Sequence, residues 1–179
     1  MAEEAGNSIV VGVDGSEASL AALRWAAEQA RAIHADVIAV HAWEPIGDRF
    51  APYAPAPVRP TAAEQRAEAA RMLATAVQKV SGPRNSRSIR AVVAEGPPAQ
   101  VLPARASGAR LLVLGRRAHA QRGLPALGTV GRACVRCATV PVVMVPVAPR
   151  PAPPSAAAPE AERQADGRPA RTPRPVPAG

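Results

Sequence analysis

The chain has 179 residues, enough for one domain with length to spare, and no apolar run of membrane-spanning length. Met1-Ala2-Glu3-Glu4 is acidic where a secretory signal is basic, and two cysteines make no disulfide framework, so a cytoplasmic location is expected. The formal charge is +8, but Lys79 is the only lysine among the 22 basic residues, and this arginine bias, with abundant Ala and Pro, reads as codon usage; with one Tyr and one Phe there is no base-stacking platform, so neither nucleic acid nor a membrane is an expected partner.

Ser8 to Val13 (SIVVGV) reads as the first strand, and Asp14-Gly15-Ser16 as the turn after it. Ser16 is a good N-cap for a helix to about Ile33, with Leu20, Leu23, Ala27, Ala30 and Ile33 on one face. Asp36 to Val40 is the second strand. Glu44 to Pro60 holds five prolines and is long for a compact domain, the profile of a lid. Thr61-Ala62-Ala63-Glu64 is a capping box for a second helix carrying Ala70, Leu73, Val77 and Val80, with Gly82-Pro83 as its stop. Ser88 to Ala94 is the third strand. A third helix is expected over Pro98 to Ser107, kinked or starting late because Pro103 inside it removes a backbone bond at about 3 kcal/mol. Arg110 to Leu114 is the fourth strand.

The stretch from Leu111 to Pro146 carries the most chemistry. A buried strand ends at Gly115, and a loop with Gly123 follows. Gly128-Thr129 then opens a helix through Val130, Ala133, Cys134 and Cys137, with Thr129 as the expected cap. Pro141 precedes a last strand, Val142 to Val145. A glycine loop opening onto a helix N-terminus suits an anion, because the first amides lack internal partners and the helix dipole is positive there.

These residues resemble the nucleotide loop of the universal stress protein family, whose pattern is Gly, two residues, Gly, nine residues, Gly, then Ser or Thr. Here it runs Gly115, Arg116, Arg117, Ala118, nine residues to Leu127, then Gly128-Thr129, with Ala118 in place of one glycine. The resemblance extends from about Asn7 to Val147 and takes in VVGVDGSEASLAALRWAA. It divides the chain into a flexible N-terminus (1–6), the family domain (7–147) and a tail (148–179). The tail is rich in Pro, Ala and Arg without apolar period, and is expected to be disordered.

The strand-helix alternation argues an α/β fold, an open parallel sheet with helices on both faces. The resemblance implies a five-stranded Rossmann-like sheet of order 3-2-1-4-5. That order puts the first and fourth strands side by side at a topological switch point, where such sheets bind ligands. The resemblance also implies ATP as ligand. Gly128, Thr129 and Val130 would hold phosphates, and Gly115 would let ribose and phosphate lie close. Asp14 would contact the adenosine part and help place Mg²⁺, and the backbone of Val40 would meet adenine. Gly12, Val13, Leu114, Arg117 and Ala118 complete the implied site, with Arg116 and Arg122 adding positive field. Each has a plainer reading: Asp14 as a turn residue bonding its own backbone, Val40 as core, the arginines as solvated surface. A methyl at Ala118 costs about 1 kcal/mol if positive φ is needed, so a family member that has lost ATP and binds only protein partners is the rival expectation.

No nucleophile, base or acid is poised for attack on a phosphate, so the chain is not read as an enzyme; a slow ATPase and nucleic-acid binding through the tail are weaker rivals. Cys134-x-x-Cys137 lies inside a helix without a partner pair at zinc spacing, and reads as core. His34, His41 and His119 are scattered, and none is assigned to catalysis. Dinucleotide, P-loop, pyrophosphatase-type and receiver motifs are all missing from the sequence. The resemblance implies a homodimer through paired Val142–Val145 strands.

Overall fold

The computed structural model describes residues 6–45, 60–85, 89–116 and 127–147. The proline-rich stretch expected as a lid, the expected loop residues Arg117, Ala118, His119, Arg122 and Gly123, residues 1–5 and the tail lie outside the described residues. Nine elements follow in order: β1 (Ser8–Gly12), α1 (Glu17–Ala32), β2 (Asp36–Trp43), α2 (Ala62–Asn85), β3 (Ile89–Glu95), α3 (Pro98–Ala106), β4 (Leu111–Arg116), α4 (Thr129–Cys137) and β5 (Val142–Pro146). The strands form one parallel sheet of order β3-β2-β1-β4-β5, as the resemblance implied. Among the described residues, no helix is long and apolar enough to cross a membrane.

Two cores follow from the period of two along each strand. Ile9, Val11 and Val13 face α1 and α2 with Val37, Ala39 and Val113. Val10, Ile38, Val40, Leu112 and Leu114 face α3 and α4. The chain runs from β1 out to β3 and then returns to β4 beside β1. Right-handed crossovers in opposite directions put the two helix pairs on opposite faces. Ile9, Val10 and Val11 are fully buried in the central strand, so β1 is apolar on both faces.

Local signals place most helix starts. Ser16 caps α1, its side chain accepting the Ser19 N–H at 3.3 Å. The Thr61–Glu64 box forms in both directions, with Thr61 N–H to Glu64 Oε2 at 2.7 Å and Glu64 N–H to Thr61 Oγ1 at 3.2 Å. The Thr61 backbone N–H, with its hydroxyl, holds the Glu64 carboxyl below its usual range.

The helix faces differ from the expected ones. On α1 the buried residues are Ala18, Ser19, Ala22, Leu23, Ala26, Ala27 and Ala30; Leu20 is half-buried and Ile33, the C-cap, is exposed. On α2, Ala69, Leu73, Ala76 and Val77 are buried while Ala70 is exposed. Small residues hold these seams because the helices lie close to the sheet, so size rather than hydropathy selects the face. Helix α2 does not stop at Gly82-Pro83 but runs to Asn85. Pro83 removes only the rung to the Lys79 carbonyl, near the helix end. Helix α3 starts at Pro98 and runs through Pro103, which is buried. Pro97 is its N-cap residue and Pro98 sits in the first turn, where no N–H is needed. β2 extends three residues past the expected Val40, to Trp43.

Gly115 sets the closest approach in the fold. A Cβ there would collide with the Ala18 backbone and come within 2.6 Å of the Ser19 amide. Glycine is required by the first turn of α1, whatever a ligand requires. Gly115→Ala should therefore destabilise the protein by about 3 kcal/mol, the upper range for overpacking, read as a lower urea midpoint at unchanged slope.

Candidate functional site

β1 and β4 end side by side, and the chain leaves them toward opposite faces. The gap beyond them is a cavity of about 390 Å³. It gathers Gly12, Val13 and Asp14 from the end of β1, Val40 from β2, Leu114 and Gly115 from β4, and Gly128, Thr129 and Val130 from the start of α4. These are all of the expected site residues that fall within the described part of the chain.

Helices α1, α3 and α4 all begin at this cavity, and the starts of α1 and α4 differ. At α1 the side chains close the end themselves. Asp14 Oδ1 accepts the Ser16 N–H at 3.0 Å and the Ser16 hydroxyl, Ser16 Oγ accepts the Ser19 N–H, and the Ser19 hydroxyl donates to the Ser16 carbonyl at 2.9 Å. At α4 the expected cap does not form. Gly128, not Thr129, is the N-cap residue, and no side chain caps the helix. Thr129 already has helical geometry, and Arg132 N–H to Gly128 C=O at 3.0 Å is the first helical bond. The amides of Thr129, Val130 and Gly131 thus have no acceptor inside the helix. The first turn holds no acidic residue. Half-buried Arg116 also lines the cavity.

Three of the four glycines lining the cavity separate by what surrounds them. A Cβ on Gly12 would meet Leu114 Cδ2 at 2.7 Å and Leu102 Cδ1 at 3.0 Å, and Gly115 faces backbone. Among the described residues, Gly128 has no heavy atom within 4 Å of that position. Its φ of −63° also suits any residue. No contact within the described residues requires glycine at Gly128.

The rest of the cavity is apolar, walled by Pro98 and Leu102 from α3, Val130 from α4 and Met144 from β5. None of these but Val130 was expected at the site, because the crossing of α3 and α4 over the strand ends brings them there and no local spacing encodes that. Ser16, Ser19, His41, Ala42 and Gly131 line it too. Val40 is fully buried in the second core and its carbonyl accepts the Val13 N–H at 2.9 Å. His41, previously only one of three scattered histidines, reaches Val13 C=O with Nδ1 at 2.7 Å. Its signal was its place one residue beyond Val40, hidden while the strand was thought to end there.

Among the described residues, no three His, Cys, Asp or Glu side chains group as a metal site. Asp14 is the one carboxylate on the cavity wall.

The comparisons agree with this geometry. The model of the universal stress protein family matches residues 7–146. Universal stress protein Rv2623 of Mycobacterium tuberculosis is 30% identical over 136 residues, 76% of this chain but 44% of that protein. The chain belongs to the universal stress protein family. A universal stress protein in complex with cAMP matches with TM-score 0.58 and 24% identity, over 80% of this chain and 99% of that one. The Archaeoglobus fulgidus protein in complex with dAMP matches at 0.57 and 24%, over 77% and 96%. An Arabidopsis thaliana family protein with AMP bound matches at 0.53 and 20%, over 83% and 97%. These likenesses establish the fold, and the chain spans less than half of the curated relative it matches.

In this family member the C-x-x-C pair splits. Cys134 is fully buried beneath α4, and Cys137 is exposed, not core as expected. Burial, with Cys137 adding to it, pushes the Cys134 thiol up to about 11 from the ordinary 9.0. A thiol reagent should label Cys137 alone in the native protein and both cysteines after unfolding, counted by mass. The native state keeps the Cys134 proton where the unfolded chain releases it. Its contribution to stability is therefore complete below pH 9.0 and lost as pH rises through about 11. Cys134→Ala should flatten that alkaline fall in the denaturation midpoint.

Proposed function

We propose that the cleft binds an adenine nucleotide, with ATP the expected ligand, and that the protein acts as a nucleotide-responsive regulatory binder in the stress response. The observation that carries this is the uncapped start of α4, with open space over Gly128, facing Asp14 across the cavity. Phosphates fit against the amides of Thr129, Val130 and Gly131, with the Thr129 hydroxyl and Arg116 beside them. The base fits against Pro98 and Leu102 of α3, beside the end of β2. Asp14 is placed to meet a magnesium ion carried on the phosphates. Similar structures bound to cAMP, dAMP and AMP support the adenine class.

The proposal is of binding rather than hydrolysis. Asp14 Oδ1 is engaged by Ser16, and His41 Nδ1 by Val13, so neither of these atoms is aimed at a phosphate. A ligand that favours one conformation of the protein then shifts which partner it meets.

Thermal unfolding tests this. ATP with Mg²⁺ at about 100 times Kd should add about 2.7 kcal/mol, about 5–10 °C in midpoint for a domain of this size. Gly128→Glu places a carboxylate in the open space against the α4 amides and should abolish the shift, while costing at most about 1 kcal/mol of stability itself. A wild-type protein unshifted at millimolar ATP is instead a ligand-free interaction module, the reading that Ala118 favours. Phosphate release above background would make it a slow ATPase.

The proposal includes a homodimer. β5 is an edge strand whose Val142, Val143, Met144 and Val145 are only half-buried, and such an edge invites a partner. Leu112 N–H bonds the Pro141 carbonyl at 2.9 Å, so odd residues of β5 face β4 and Val142 turns its N–H outward. Val142→Pro removes that outward donor and no β4 rung. Wild type should sediment as a dimer and the variant as a monomer.

A further inference from the structure

The C-x-x-C pair on α4 plays no part in the cleft. Cys134 packs in the second core with Leu102, Leu112 and Leu114, and Cys137, which is exposed, is the last residue of the helix. On a helix of radius about 2.3 Å and rise about 1.5 Å per residue, Cα atoms three residues apart lie about 5 Å from each other, inside the disulfide range of about 4.4–6.8 Å. Their Cβ atoms lie about 5–6 Å apart, where a disulfide wants about 3.5–4.5 Å. The pair therefore needs to close by only about 1 Å, and Cys137 is the end that can move. The bond from Ala138 N–H to Cys134 C=O at 2.9 Å closes the last turn. Ala138 itself is already extended, with φ −71° and ψ 140°. The chain over 138–141 then belongs to no helix or strand. The two sulfurs also sense each other: after burial, charge on Cys137 is the second cause that holds the proton on Cys134.

We infer that Cys134 and Cys137 are a redox-active dithiol, which takes a small-molecule disulfide as its oxidant and closes to a disulfide within α4. The Cys137 thiolate, open to solvent, attacks one sulfur of the small disulfide. That S–S bond breaks, and the first small thiolate leaves and takes a proton from water. Cys134 then gives its proton to solvent and attacks Sγ of Cys137, and the second small thiolate leaves. The protein loses two hydrogens and two electrons, and the small disulfide becomes two thiols. The position of the pair favours its oxidised form. The negative end of the helix dipole opposes a thiolate, whereas a helix N-terminus stabilises one and so favours the reduced pair. At Cys134 the disulfide also puts an apolar sulfur among leucines in place of a thiol. The dithiol thus acts as a reductant, whatever occupies the cleft.

Two measurements on the full chain test this. In the first, the folded, reduced protein is incubated with oxidised glutathione, quenched with acid and weighed. Wild type should end as a single chain lighter by the mass of two hydrogens, carrying no glutathione, with neither cysteine open to a thiol reagent after unfolding. Cys134→Ala should stop at the mixed disulfide, with one glutathionyl group on Cys137. Cys137→Ala should stay unmodified while folded, because its remaining thiol is buried. The second measurement is urea unfolding. Oxidised wild type should have a midpoint at least as high as the reduced protein, and dithiothreitol should return it to the reduced value. A wild-type chain that keeps glutathione on Cys137, links to a second copy through it, or does not react overturns the inference. So does an oxidised protein with a lower urea midpoint, since the end of α4 would then reject the bond.

Discussion

The first turn of α1 lies against the backbone of Gly115 with no room for a methyl group between them. Much of the architecture follows from that approach. It draws α1 over β4, so the seam is lined by Ala18, Ala22 and Ala26 rather than by large side chains. It brings the Asp14–Ser16 turn beside the end of β4, so the cavity has a polar side built from one tight turn. It also commits that face of the sheet to α1, leaving the other face for α4. A helix start and a strand end are held together here by main chain, which is stiffer than any side-chain contact.

Electrostatics then decide which part of the cavity suits an anion. Of the helices that point their positive ends at it, α1 and α4 contrast. Ser16 and Asp14 satisfy the first, and an approaching phosphate would have to displace them. The second keeps its amides open, has no acid in its first turn, and stands beside Arg116. The wall of Pro98 and Leu102 from α3 is apolar and suits a ring. The polarity of the site therefore runs from α4 toward α3. Cys134 lies under α4 as packing, and burial keeps its thiol protonated.

The sheet was legible in the sequence because its signals are local. Apolar runs, turn residues and the alternation of periods mark the strands and helices, and Ser16 and the Thr61–Glu64 box mark two helix starts correctly. The order of strands came from the resemblance. What misled was any judgement that needed tertiary distance. Ile33 looked like core by its hydropathy but lies past the last helical turn, and Ala70 was favoured over Ala69, two alanines that only the rotation of α2 on the sheet tells apart. Thr129 looked like a cap, since threonine caps well, yet Gly128 holds that place and leaves the amides exposed. Pro83 and Pro103 read as breaks but sit where one lost rung is tolerated. Of the site, the strand-end and glycine-loop residues were visible, whereas Pro98, Leu102 and Met144 come from elements that meet only in the folded chain. His41 and Ala42 were missed because β2 outruns its apolar stretch.

Helix α3 carries Pro97 and Pro98 at its start and Pro103 within. Each ring restricts φ before folding begins, so the denatured segment samples fewer shapes than an ordinary peptide of its length. The carbonyl of Ala99 forgoes its usual partner in return. Leu102, which that segment carries into the cleft, is thus mounted on a support with little disorder left to lose. Of the surfaces lining the cavity, this one is ready-made, and any adaptation falls to the other walls.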